Sequence, residues 1–173
     1  MVKKESYLID ANVLITASRL YYASDLIPSF WEVLAQKAKE RRIILLDLVK
    51  EEIDRGEDEL KNWLNKIMIN CEICRHIDGE IIAKYAEIMQ YIQMCGYYNE
   101  KGLNDWARKD IADPWLIAAA AVRDYTVITF EESAGYLSVK NKSGKVKIPD
   151  IAKNFNVEVH NLFYMMRQLN IKI

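Results

Sequence analysis

The stretch from Tyr7 to Ile15 restricts the possible folds more than any other part of the chain. Tyr7, Leu8 and Ile9 make an apolar run too short for a helix, and it ends on Asp10. Val13, Leu14 and Ile15 follow with helical character. A short continuous apolar run suits a strand buried on both faces, and a strand leading straight into a helix opens a parallel α/β sheet. In open sheets of this kind, ligands bind beyond the carboxyl ends of the strands. The sequence therefore predicts that Asp10 stands at the ligand-binding edge.

The same pattern returns twice. Ile43 to Leu46 reads as a second buried strand ended by Asp47, and Thr126 to Thr129 as a third, followed by Phe130, Glu131 and Glu132. Between them lie helical periodicities: Phe30, Trp31, Val33, Leu34 and Ala38; then Leu48, Val49 and Ile53, stopping near Gly56 with a break at Asp58. Leu60, Trp63, Leu64 and Ile67 form the next helix, and Ile81 to Ile92 a long one ended by Gly96. Residues 97–112 look irregular. Asp113-Pro114 opens an alanine-rich helix to about Val122, and the tail carries a strand at Val157–Val159 and a helix at Leu162–Leu169. Strands alternating with helices predict an α/β fold with a mainly parallel sheet covered on both faces. With 173 residues and neither repeat nor linker, one domain spanning 1–173 is expected.

The formal net charge is −1, so no global positive field draws in nucleic acid; local patches or bound cations would have to do so. Lys3, Lys4 and Glu5 precede an apolar run too short for a signal peptide, and no segment approaches membrane-spanning length. Three cysteines make no disulfide framework, so a cytoplasmic protein with reduced thiols and no membrane is expected. Cys71-x-x-Cys74 with His76 nearby lacks partners at zinc-site spacing, since Cys95 and His160 are distant and isolated.

The acids carry the functional reading. Asp10 ends the first strand, although Asp is also a good helix cap. Glu51 and Glu52 are adjacent; the helix phase set by Leu48, Val49 and Ile53 turns Glu52 toward the buried arc and Glu51 toward solvent. A carboxylate on an apolar side is costly unless it is paired or holds a cation. Asp113 before Pro114 could simply cap its helix, yet a cap there faces the loop end of the sheet, where Asp10 would be. Asp110 is a weaker alternative. Glu131, with Glu132 behind it, again follows the carboxyl end of a strand. Two carboxylates about 4 Å apart repel by roughly 4 kcal/mol at an effective dielectric near 20. Several at one edge are tolerable with divalent cations, and oxygen-only ligands suit Mg²⁺ or Mn²⁺. Such ions support phosphodiester hydrolysis. Around them, Lys140, Lys142, Lys145 and Lys147 form a basic segment that could meet phosphates or be a solvated loop. Tyr97, Tyr98 and Trp106 could stack on bases or pack locally.

Asp10 in Leu-Ile-Asp-Ala-Asn-Val-Leu-Ile, Glu52 in Val-Lys-Glu-Glu-Ile, Asp113 in Asp-Pro-Trp-Leu-Ile-Ala-Ala-Ala and the Val-Ile-Thr-Phe-Glu stretch resemble the PIN-domain ribonucleases. The resemblance is to a prokaryotic branch known as a domain of unknown function, near the VapC-like toxins. It extends there to Tyr21-Tyr22, Phe30-Trp31 and Lys147-Ile148-Pro149. It implies a three-layer α/β/α sandwich, endonucleolytic RNA cleavage, and a Mg²⁺ or Mn²⁺ site with Asp10, Glu52 and Asp113 as ligands and Glu131 in the fourth place. That place is commonly aspartate in a Thr-x-Asp setting, whereas here it is Thr129-Phe130-Glu131, which leaves Glu131 versus Glu132 and one versus two metals open. Asn12 could orient a ligand, bind phosphate or cap its helix; with Thr129, Lys140 and Lys142 it completes the candidate substrate contacts. The family also implies a protein antitoxin as partner and allows a homodimer. The alternatives are a catalytically silent PIN-like module that binds RNA or protein, and a structure-specific DNA nuclease.

Overall fold

In a computed structural model, the described residues are 5–56, 59–67 and 71–173; Lys3, Lys4 and Asp58 lie outside them. The chain opens with β1 (Tyr7–Ile9) and α1 (Ala11–Thr16), which runs into a single π-type turn, Ala17–Tyr21. Then come α2 (Pro28–Lys39), β2 (Ile43–Leu46), α3 (Asp47–Asp54), α4 (Glu59–Ile67), β3 (Ile73–Cys74) and α5 (Gly79–Met94). The second half holds α6 (Glu100–Trp106), α7 (Asp113–Arg123), β4 (Thr126–Ile128), α8 (Ile148–Ala152), β5 (Val159–His160) and α9 (Leu162–Gln168).

The strands form one five-stranded sheet in the order β3-β2-β1-β4-β5, with every neighbouring pair parallel. Parallel pairing needs a crossover between partners, and the helices that make those crossovers cover both faces. The result is the three-layer α/β/α arrangement that the alternation of strand and helix predicts. Tyr7, Leu8 and Ile9 are fully buried, as a central strand covered on both faces requires, and so are Phe30, Leu46, Leu64 and Ile88. Each such side chain contributes roughly 1.5–3 kcal/mol by leaving water. Ala118, Ala119 and Ala120 are buried on α7, whose small side chains allow close approach to the sheet and to α5. No helix among the described residues is long and apolar enough to cross a membrane.

Three elements escape the sequence reading. β3 is only two residues, Ile73 and Cys74, and neither is fully buried, so no apolar run announces it. Residues 97–112 contain α6, held by Asn99, whose side chain accepts from the Gly102 amide. Gly102 is there for space: a Cβ would meet the Gly144 and Ser143 backbone at 3.3 Å. α8 is a short helix begun at Ile148-Pro149. The tail strand also starts later than expected, at Val159. Val157 still donates to the Ala152 carbonyl (3.1 Å), and Asn156 turns the chain in the left-handed region at φ 55.

Helix α5 has the best-formed start. Asp78 accepts from the amides of Glu80 (3.1 Å) and Ile81 (3.3 Å), and its other oxygen takes Arg123 at 3.0 Å. Asp78→Ala is therefore expected to destabilise the fold by about 1 kcal/mol, read by chemical denaturation.

Candidate active site

The register of the sheet brings the acids together. Ile9 pairs with Ile128, so Asp10 and Thr129 emerge side by side from β1 and β4. The Asp10 amide donates to the Ile128 carbonyl at 2.9 Å, continuing the ladder past the strand ends. Both residues are 2% exposed, and the Thr129 hydroxyl donates to Asp10 Oδ2 at 2.8 Å. The same hydroxyl accepts from the Glu131 amide at 3.0 Å. One threonine thus fixes both the Asp10 carboxylate and the backbone that carries Glu131.

Asp10 stands at the N-cap of α1; its side chain makes no well-formed capping hydrogen bond there, although the Asn12 amide lies close enough to favour its charged form. Asp113 was expected as the cap before Pro114 and instead lies inside the first turn of α7. The ladder begins one residue earlier, with the Leu116 amide donating to the Ala112 carbonyl at 2.8 Å. The Asp113 carboxylate has no hydrogen bond or ion pair among the described residues. Capping does not account for Asp113. On α3, Glu52 is half-buried and Glu51 exposed, as the helix phase requires.

Burial and mutual charge set the protonation of this group. Burial first, then the charges of Glu52 and Glu131, push Asp10 from 3.8 up to about 6, against the opposing hydrogen bonds of the Thr129 hydroxyl and the Asn12 amide. Asp113 rises to about 7, through burial and then through Asp10, Glu131 and Glu52, with Lys147 opposing. Burial also raises Glu52, with Arg55 opposing and Asp110 adding to the rise. Strongly perturbed carboxyls grouped at a strand edge are what functional sites display.

Glu131 is differently employed. Its Oε1 takes Lys147 Nζ at 2.7 Å and its Oε2 accepts from the Ile148 amide at 2.9 Å. It therefore clips the start of α8 to the end of β4, a role no sequence spacing announces. Asp150, 2% exposed, secures the same loop by accepting from Ser133 and from the Ala134 amide. Glu131→Ala is expected to speed amide exchange at Ile148 on the order of tenfold or more, because hydrogen bonds to charged groups are worth ~1.5–3 kcal/mol. Hydrogen exchange resolved at that amide reads it.

The other residues singled out by sequence lie as follows. Asn12, Glu132, Lys140 and Lys142 are exposed. Asp110 is engaged at the surface by Arg108 (2.6 Å) and Arg55 (4.0 Å). The Cys71 thiol donates to the Ile67 carbonyl, Cys74 sits in β3, and His76 Nδ1 meets Asp47 Oδ1 at 2.9 Å, so these three face separate partners. Tyr98 and Trp106 are buried in the fold rather than offered to a base.

Two cavities flank the acids. One, of about 420 Å³, opens at the carboxyl ends of β4 and β5 and includes Thr129 and Glu131. The other, of about 300 Å³, includes Asp113, Arg108, Lys145 and Lys147. The Glu131–Lys147 ion pair joins them, one partner lining each. Oxygen donors with raised carboxyls and little cationic compensation match the chemistry of a divalent cation site. Among the described residues, no three His, Cys, Asp or Glu side chains stand converged to hold a metal ion.

A family model and solved structures match the chain. The family described as "Domain of unknown function (DUF4411)" matches residues 7–173. Among solved structures, VapBC2 from Rickettsia felis, crystallised with a DNA fragment from its promoter, shares 14% identity at a TM-score of 0.54. That match covers 90% of this chain and 97% of that one. PAE2754 from Pyrobaculum aerophilum also shares 14% identity, at a TM-score of 0.39, with coverage of 90% and 98%. No curated protein matches. The matched span takes in every strand of the sheet and all four acids, and the chain belongs to the DUF4411 family, with a fold of the PIN/VapC kind.

Proposed function

We propose that the protein is a Mg²⁺- or Mn²⁺-dependent endoribonuclease of the PIN type. One observation carries the reading: Asp10 and Asp113 sit at the carboxyl edge of a parallel sheet, where burial and the neighbouring carboxylates raise their pKa values to about 6 and about 7, and Asp113 has no capping role to explain it. A fold does not keep such costly carboxylates for stability. Asp10, Glu52 and Asp113 would hold the cation. Glu131, committed to Lys147 and Ile148, would act at longer range by its charge and by shaping the loop.

When bound, a divalent cation activates a water and stabilises charge on the phosphate oxygens. The chain's own residues prepare for that chemistry. The Thr129 hydroxyl holds Asp10 Oδ2 in one orientation, and Asp10 and Asp113 have protons to release near neutral pH. Lys145 and Lys147 beside Asp113 give the RNA backbone a cationic wall. The likeness of fold to VapBC2 supports a toxin role with a protein antitoxin as partner.

A second reading has one observation in its favour. The described acids do not already converge as a metal cage, which suits a silent PIN-like module that binds RNA or protein. Incubation of a mixed RNA pool with purified protein and Mn²⁺ or Mg²⁺, with and without chelator, separates the two. Chelator-sensitive endonucleolytic products are expected. Intact RNA from folded protein in either metal would favour the silent module.

A further inference from the structure

The cavity beyond β4 and β5 differs in chemistry from its neighbour. Its position follows from the register: His160 pairs with Ile128, so Asn161 emerges beside Thr129, whose hydroxyl holds Asp10. Phe130, Glu132 and Pro149 complete the lining that matters here. Neighbouring rings pack against two of these residues. The π-type turn at Ala17–Tyr21 sets Tyr21 edge-on against Phe130 at 5.9 Å, and the His160 ring stacks on Tyr164 at 3.7 Å. Among the described residues, no Lys or Arg lines this cavity, and Glu131 and Glu132 would repel a phosphate; cationic side chains line the other cavity, across the Glu131–Lys147 pair.

We propose that this cavity is a base-binding subsite for single-stranded RNA, selective for a base that presents paired N–H donors, guanine above all. The inference deepens the nuclease reading and rests on it for the path of the strand. The exposed Glu132 carboxylate has no partner among the described residues, and its two oxygens match the adjacent N1–H and N2–H donors of guanine. Asn161 spends its carbonyl oxygen on the Tyr164 amide (3.0 Å), which leaves its amide nitrogen as a donor for guanine O6. Phe130 and the His160 ring offer flat surfaces for stacking. Adenine and cytosine present one amino group each and uracil one ring N–H, so each forfeits part of this match. The backbone would then run over the acids toward Lys147 and Lys145.

The test uses the full chain without metal, titrated with guanosine, with uridine, and with short single-stranded RNAs that differ only in one G or U, followed by NMR. Guanosine is expected to shift signals of His160, Asn161 and Phe130 and to bind roughly tenfold tighter than uridine. Glu132→Gln, an exposed and conservative change, should erase most of that preference, and His160→Ala should weaken all bases alike. Equal affinity for both nucleosides, or shifts elsewhere, overturns the subsite. Guanosine binding without binding of the G-containing RNA overturns its strand-binding role. Metal-dependent cleavage with no base preference and no shift at His160 sinks the subsite and leaves the nuclease standing. Shifts at His160 with no cleavage of any RNA uphold the subsite and sink the nuclease.

Discussion

Asp113→Asn is expected to lower metal-dependent RNA cleavage by at least about a thousandfold, or roughly 4 kcal/mol of transition-state stabilisation. The substitution keeps the shape of the side chain and removes the charge that a hard cation needs. Asp113 has no hydrogen bond to lose among the described residues, so the loss cannot be charged to a broken cap. Asp10→Asn should behave alike, with the Thr129 hydroxyl still able to donate to the amide oxygen. A single-turnover assay with saturating protein distinguishes a lost chemical step from weakened RNA binding. Activity within tenfold of the parent in either variant would remove that acid from the chemistry.

The same two substitutions should stabilise the metal-free fold, which is the opposite of what structural acids do. An aspartate has an ordinary pKa of 3.8, and in the folded chain Asp10 titrates at about 6 and Asp113 at about 7. Below about pH 4 the carboxyls are protonated in both states and stability is intact. As pH rises through the folded values, the unfolded chain ionises freely while the folded one does so at a cost, and stability is lost. The window runs from about pH 4 to about pH 7. Asp113→Asn should therefore raise stability at pH 8 by on the order of 1–3 kcal/mol and have little effect near pH 4. For the parent protein, added Mn²⁺ should raise the Tm at pH 8 far more than at pH 5, because the ion competes with those protons. Thermal melts at both pH values, with and without Mn²⁺, read both effects. A variant that melts lower than its parent at pH 8 would mark Asp113 as a structural group.

Much of this was legible from residue patterns. Strands β1, β2 and β4 are central and buried, so Tyr7–Ile9, Ile43–Leu46 and Thr126–Ile128 appear as plain apolar runs. Edge strands need no such run: β3 and β5 pair on one side only and are two residues each, which left them unseen or misplaced. The helix phase separated Glu52 from Glu51 because α3 has a well-defined apolar arc of Leu48, Val49 and Ile53. Sequence could not show the engagement of Glu131, because its partners Lys147 and Ile148 come back through a long irregular loop. Nor could it show the His160 face of the cavity, which depends on β5 pairing in register with β4.

The most direct test is a Mn²⁺ titration of the metal-free protein by calorimetry near pH 7, compared with Asp10→Asn and Asp113→Asn. The predicted result is Mn²⁺ binding that releases protons, since both carboxyls still carry part of theirs at that pH, and that disappears in either variant. Absence of Mn²⁺ binding by the parent, or binding that survives both substitutions unchanged, would contradict the assignment of Asp10 and Asp113 as the heart of a metal-dependent nuclease.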